Sequence, residues 1–404
     1  MEPFKRITFI FAAYAFCVVL ADPIFGIYLT GKGYDPAWLS IILSSFSLTM
    51  IAAAPLIGGI SDNWGRRPLV LFGIGAEIIA LLTYAMFTHP LIIFLARVLE
   101  ACAYASVIFV AIAKMEDIVA ERKETKLGEK IGKSLSIGKI GFVLGPVVGA
   151  FIATKWGLTA PFYVGAGLLV MLGIWYLFEK HHIHPKPPLE KLEFNLIPRF
   201  REYLKNPPLR GLAFVEVAHQ TSMPVLFVFF PLFLVQDLGL SIELVGIAIL
   251  VREIPMLLQF WTGKITDSWG SRKSILIGSS LAGIAMIGLS QAHTFDAVLV
   301  ASFLFGAGTS LLGISSLSLI SGIAEKTKQE GTFLGTQVGI SKGGAFVSYI
   351  LIGVLVEITS IPTALLTIGA IILLGVIIGE NDLGYKTFPL PSPKRLVSGL
   401  FHHR

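Results

Sequence analysis

The sequence predicts an all-α integral membrane protein, with twelve transmembrane helices in two pseudo-symmetric six-helix halves. Three observations carry this reading. Of 404 residues, 54% are hydrophobic and only 14% are charged, against about 25% charged in an ordinary soluble domain. The apolar residues fall into runs of about 20, the length that crosses a bilayer core as a helix. A pattern at residues 58–71 returns at 263–276, half a chain later. A bilayer solvates helices that are apolar on every face, provided that their backbone hydrogen bonds close internally.

Glycine, proline and charged clusters punctuate the runs. Helix 1 spans 7–29, longer than the roughly 7–15 apolar residues of a signal peptide, and is therefore read as retained. Helix 2 (38–58) stops at the Gly58–Gly59 pair, and helix 3 (69–88) starts after Arg66, Arg67 and Pro68. Helix 4 (91–113) lies between Pro90 and Lys114, helix 5 (131–153) between Lys130 and Lys155, and helix 6 (158–178) between Gly157 and Glu179. Residues 179–210 form a long polar connection midway along the chain. Helix 7 (211–235), helix 8 (242–262), helix 9 (274–291), helix 10 (297–322), helix 11 (332–357) and helix 12 (362–380) complete the second half. The expected organisation is a bundle at 1–178, a cytoplasmic linker at 179–210, and a bundle at 211–404 ending in a short cytoplasmic tail.

Lysines and arginines concentrate in the cytoplasmic loops of membrane proteins. Lys5, Arg66, Arg67, Lys130, Arg272 and Lys326 fall on one side, and the opposite loops hold only Lys32 and Lys155. The expected location is the cell (inner or plasma) membrane, multi-pass, with both termini cytoplasmic. The formal charge of +6 forms no groove-sized patch, so no nucleic-acid partner is expected. Cys17 and Cys102 lie in apolar runs, which offers neither a disulfide framework nor a zinc site. His181, His182 and His184 sit in the linker without a cysteine or carboxylate frame. No metal or cofactor is expected. The adjoining segment 189–204 has apolar residues at helical spacing and should lie on the inner membrane surface.

The repeated pattern reads GGISDNWGRRPLVL and GKITDSWGSRKSIL. It matches at Gly58/Gly263, Asp62/Asp267, Gly65/Gly270 and Arg67/Arg272, while Ser271 stands where the first copy has Arg66. A duplicated six-helix unit is the architecture of transporters that bind their solute where the repeats meet. Together with this spacing, the whole chain resembles the major facilitator superfamily. The resemblance implies a central cavity between the halves and alternating access. It also implies an inner gate in which Asp62 faces the start of helix 11 and Arg66 pairs with Glu116 or Asp117. Arg97-Val-Leu-Glu100 on helix 4 resembles a family motif whose arginine takes part in proton transfer, although Glu100 and Ala101 replace the usual glutamine and glycine. Gly141, Gly145, Pro146 and Gly149 on helix 5 resemble the motif of proton-coupled drug exporters. Small residues at this spacing also allow plain close packing, and both readings stand.

Ionisable residues inside spans each cost about 2.5–3.5 kcal/mol at the helix centre, so they need a partner, a wet cavity or a role. At 1.5 Å per residue, Asp22 of helix 1 and Arg97 of helix 4 both lie about 8–9 Å from the outer boundary of a 30 Å core. They should pair, with Asp22 as the proton carrier and Glu100, His219 and Glu253 as further coupling candidates. Lys139, Arg252 and Lys342 fall near the midplane. With Glu216 they are candidates for a substrate cavity, unless the lysines snorkel to the interface. Glu77 on helix 3 is read as peripheral and structural. The expected function is secondary transport of a small solute, with protons and the lipid bilayer as partners and a monomer as the working form. Proton-coupled efflux of an amphiphile and transport of an organic anion held by lysines are the two versions. GEKIGKS (128–134) is one residue short of a phosphate loop and follows no strand. No paired acids at catalytic spacing suggest an enzyme. A scramblase or sensor on the same fold stays open, because fold is not function.

Overall fold

The computed structural model describes residues 3–121, 127–178, 196–327 and 330–384, and these are helical with no strand among them. Among the described residues, eleven helices are long and apolar enough to cross a membrane, and a bent pair brings the number to twelve. Phe178, Met171, Phe260 and Leu351 are each more than 60% exposed, an outward-facing apolar surface suited to lipid. Below, the outer end of a helix is the one near the loops of Lys32 and Lys155.

Prolines shape several spans. Helix 1 is two pieces, Pro3–Val18 and Asp22–Gly31. Pro23 has no N–H to give and its ring collides with the carbonyl four residues back, which interrupts the helix at Val19–Ala21. Helix 7 does the same ahead of Pro224: Pro207–Gln220 ends, and two π-helical turns, Val225–Phe229 and Phe233–Asp237, follow. Helix 4 runs through Pro90–Tyr104, a π-helical turn at Ala105–Phe109, and Val110–Glu121. Helix 8 departs from the single span read at 242–262. Ile242–Leu257 and Gln259–Trp269 meet at a 50° bend, after Pro255 has removed a donor from the interior. Helices 2 and 10 continue past their apolar runs, as Pro36–Trp64 and Phe295–Thr327. Backbone hydrogen bonding does not stop where hydropathy does.

The chain packs as two compact units. One comprises Met1–Glu193, Met223–Leu250 and Phe346–Ser360, so the outer parts of helices 7, 8 and 11 belong with the first six helices. Within it, those outer parts touch their neighbours through glycines. A Cβ on Gly26 would lie 2.9 Å from the Val228 carbonyl oxygen, one on Gly246 2.7 Å from the Ala150 Cβ, and one on Gly353 2.0 Å from the Ser40 Oγ. Helices 1 and 7, 5 and 8, and 2 and 11 are thereby closed on each other at the outer end of this unit.

The other unit comprises Phe194–Ser222, Val251–Ala345 and Ile361–Arg404. Its core gathers Leu209, Leu212, Val215, Ile275, Leu312 and Ile320. The linker helix, Leu196–Lys205, docks here through Tyr203. That side chain is fully buried, its hydroxyl donates to Gln337 Oε1, and its ring meets Phe333 edge-on at 6.1 Å. Burial raises the phenol well above its usual pKa, with the charge of Glu216 adding to the effect, so the hydroxyl keeps its donor proton.

Candidate functional site

The first unit buries an arginine among carboxylates. Arg97, seven residues into helix 4, places Nη1 2.5 and 2.6 Å from the two oxygens of Glu100, one turn on. Spacing of three residues on a helix brings side chains to one face. Glu100 also accepts from the Tyr84 hydroxyl at 2.5 Å, and the guanidinium lies over the rings of Phe46 (4.9 Å) and Phe25 (5.4 Å). Asp22, the first residue after the break in helix 1, is within electrostatic reach of Arg97, Glu77, Tyr104 and Tyr349. Arg97 thus holds Glu100 directly and shares the charge environment of Asp22. Glu77, read from sequence as peripheral, is fully buried, and its Oε2 accepts from Tyr14 of helix 1 at 2.9 Å. The signal for it was an acid in the middle of an apolar run. Tyr14 and Tyr84 carried no sequence signal, because a tyrosine in a membrane helix is unremarkable until its partner is known.

The second unit holds a different set. His219 of helix 7 is buried, stacks on Phe305 of helix 10 at 5.6 Å with 12° between rings, and faces Thr309 Oγ1 at 3.2 Å. Arg252 pairs with its neighbour Glu253 at 2.8 Å. The backbone there is tight, since a Cβ on Gly306 of helix 10 would meet the Arg252 carbonyl oxygen at 1.8 Å. Glu216 accepts from Ser316 at 2.8 Å. Lys342 is half-buried on helix 11 and makes no hydrogen bond or ion pair among the described residues. Lys139 is half-buried on helix 5, in the first unit.

The helix-5 glycines pack helix 5 onto helix 1. Added Cβ atoms would fall 2.3 Å from the Ala12 oxygen at Gly141, 2.8 Å from the Phe16 oxygen at Gly145, and 1.7 Å from the Leu20 oxygen at Gly149. Gly149 therefore touches the backbone at the break that presents Asp22. Pro146 continues this seam and its carbonyl lies by Gly246 of helix 8. In the duplicated pattern, Gly65 (φ 87°, ψ 159°) and Gly270 (φ 84°, ψ 149°) share a backbone region open essentially to glycine alone. The arginine after each reaches the last turn of the sixth helix of its half. Arg67 donates to the Leu177 carbonyl at 2.6 Å and Arg272 to the Glu380 carbonyl at 3.3 Å. A cation there meets the negative end of the helix dipole. Gly263 has open space around it, and Asp267 is exposed. The surroundings of Gly58 and the side chains of Asp62, Glu116 and Asp117 lie outside the described residues, as does the histidine triplet, so the expected inner gate is not described by this structure.

Comparison with known proteins agrees with this architecture. The family model of the Major Facilitator Superfamily matches residues 7–251 and again 212–400. An uncharacterized MFS-type transporter of Methanocaldococcus jannaschii is 26% identical over 343 residues, 84% of this chain and 87% of that protein. The class B tetracycline resistance protein of Escherichia coli is 23% identical over 78% of each chain. Among solved structures, the nucleoside transporter NupG superposes with a TM-score of 0.72 at 18% identity, covering 96% of this chain and all of that one, a likeness of fold. With both halves of the chain matched, this protein belongs to the Major Facilitator Superfamily and is a multi-pass membrane transporter rather than an enzyme.

Proposed function

We propose that the protein is a proton-coupled antiporter that exports a small amphiphilic or drug-like solute by alternating access, as a monomer in the cell membrane with both termini in the cytoplasm. The observation that carries the proposal is the sharing of Arg97. Its guanidinium holds Glu100 while a second acid, Asp22, lies within electrostatic reach at the end of a broken helix. One guanidinium cannot hold both acids equally. A proton on Asp22 leaves Arg97 to Glu100, and loss of that proton lets Asp22 compete for it, which moves the outer piece of helix 1. A ligand shifts such an equilibrium only by its differential affinity for the two states. A cationic or amphiphilic solute that binds better when Asp22 is ionised therefore exchanges for the proton. The helix-5 glycine seam and the relationship to a tetracycline resistance protein support the outward direction.

The test begins with a thermal-shift screen of the purified protein against drug-like cations, organic anions, sugars and lipids, which identifies a solute. In proteoliposomes that solute should move uphill when a proton gradient is imposed. Asp22→Asn removes the titratable group with little change in volume, and should retain the thermal shift while losing uphill movement. Undiminished uphill transport by Asp22→Asn takes Asp22 out of the mechanism.

One observation favours the second version, transport of an organic anion. Lys342 has no acidic partner among the described residues, and burying an unpaired cation is costly. An anionic solute would supply the counter-charge. Lys342→Gln should then weaken an anion at least tenfold, about 1.4 kcal/mol, and leave a cation or neutral solute unchanged. Equal anion binding by the variant removes this reading.

A further inference from the structure

One fully buried acid that the proton scheme above does not use is Glu77. It lies on helix 3, inside the first unit, and is 0% exposed. Its two oxygens are in different situations. Oε2 accepts the Tyr14 hydroxyl at 2.9 Å, whereas Oε1 is buried and has no hydrogen-bond partner among the described residues. The charged or titratable groups within its electrostatic reach include Tyr14 and Cys17 on helix 1, Asp22 at the break, Tyr84 on its own helix, and Arg97 and Glu100 on helix 4. Arg97 is the cation named there, and its Nη1 contacts both oxygens of Glu100. An ionised carboxylate in an apolar interior needs a counter-ion or several donors. A carboxyl that carries its own hydrogen on the second oxygen needs neither.

We propose that Glu77 is a second proton-exchange site of the amino-terminal half, with Tyr14 as its positioning residue. In the proton-loaded state the hydrogen resides on Oε1, which removes the buried charge, and the Tyr14 hydroxyl donates to Oε2. When Arg97 turns from Glu100 toward Glu77, the guanidinium supplies the counter-charge, and the proton on Oε1 passes to a water molecule while Tyr14 continues to donate to the carboxylate. The balance is one O–H bond broken at Oε1 and one formed on the water that takes the proton. Three acids lie within the electrostatic reach of one guanidinium, so the number of protons held depends on which acid Arg97 faces. This deepens the proton-coupled reading and rests on it for its role in transport. The existence of the site does not depend on which solute is carried.

The experiment uses full-length protein in lipid nanodiscs, without solute, and reads the infrared C=O stretch of neutral carboxyls across a pH series in H2O and D2O. Glu77→Gln fixes the neutral shape and should remove one band. Tyr14→Phe deletes the hydrogen bond to Oε2 and should move that band to higher frequency without removing it. In the parent protein the band should shift in D2O and fade as pH rises. A spectrum unchanged by Glu77→Gln overturns the proposal, and so does a band that ignores both D2O and pH, because such a carboxyl would be neutral but would not exchange. Glu77→Asp keeps the acid one methylene shorter and should restore a pH-sensitive band if Glu77→Gln is poorly folded. Absence of proton-driven transport in the parent protein would defeat the antiport reading while leaving this spectroscopic result to stand or fall separately.

Discussion

The two halves are built on one frame and filled differently. Gly65 and Gly270 make the same glycine-only turn. Gly73 and Gly278, 205 positions apart, each press on the next helix: a Cβ would meet the Ala103 oxygen at 2.8 Å in one half and the Gly308 oxygen at 2.8 Å in the other. Arg67 and Arg272 reach the sixth helix of their own halves. The interiors differ at the same offset. Helix 4 offers Arg97, Glu100 and Tyr104, where helix 10 offers Ser302, Phe305 and Thr309. The first set builds a charged cluster, and two members of the second hold an imidazole between a ring and a hydroxyl. Where backbone touches backbone, the two copies keep the same geometry. Where only side chains meet, one copy specialised in charge and the other in stacking.

The comparison can be broken most decisively at its charged end. Arg97→Leu leaves Glu100 buried without its cation, and removing one partner of a buried pair costs about 3–5 kcal/mol. Ser302→Ala at the corresponding position removes a buried hydroxyl whose Oγ has no partner, which is close to neutral because no hydrogen bond is lost. Thermal unfolding in detergent should show a large drop for the first and little change for the second. Similar drops in both would mean that the two interiors are equally sensitive and the contrast is superficial.

A second test compares helix pairs. Helix 5 lies against helix 1 with no room for a methyl at Gly149, whereas Gly344 of helix 11 would place a Cβ 3.4 Å from Val217 Cα of helix 7, an ordinary contact. Gly149→Ala should cost about 1–3 kcal/mol as overpacking. Gly344→Ala should be neutral or stabilising by up to about 1 kcal/mol, because alanine is the better helix former. The same unfolding measurement decides. Equal losses would show helices 7 and 11 packed as firmly as helices 1 and 5.

The smallest effect is at the helix ends. Arg67→Gln and Arg272→Gln each remove a cation from a helix C-terminus, worth about 0.3–1 kcal/mol at exposed sites. The 2.6 Å contact of Arg67 should lie toward the top of that range and the 3.3 Å contact of Arg272 toward the bottom. Reversal of that order would sharpen the comparison by assigning the stiffer closure to the carboxy-terminal half.

The spans and the repeat were legible because hydropathy and glycine spacing are local properties. The break before Pro23 and the bend after Pro255 were equally local signals, but a proline in a membrane helix need not interrupt it, since neighbours can satisfy the freed carbonyl. Arg97 and Asp22 could be set at one depth by counting residues. Counting could not reveal that Glu100, on Arg97's own helix face, would meet the guanidinium through both of its oxygens. Depth is one coordinate of three. Glu77 shows the same limit: its place on helix 3 could be counted, but not that its side chain turns to Tyr14 of helix 1. Hydrogen bonds between helices depend on rotation about each axis, and the apolar character of these helices on nearly every face leaves that rotation unmarked in the sequence.

The seat of the linker helix has a practical bearing on how motion in this protein can be watched. Tyr203 is sunk against Phe333 and Gln337 of helix 11, while Arg201, two residues earlier, is exposed. A fluorophore attached at position 201 would therefore ride with the carboxy-terminal unit. Combined with a second dye on the exposed Trp156 position at the outer end of helix 5, it makes a ruler whose length changes only when the protein itself moves.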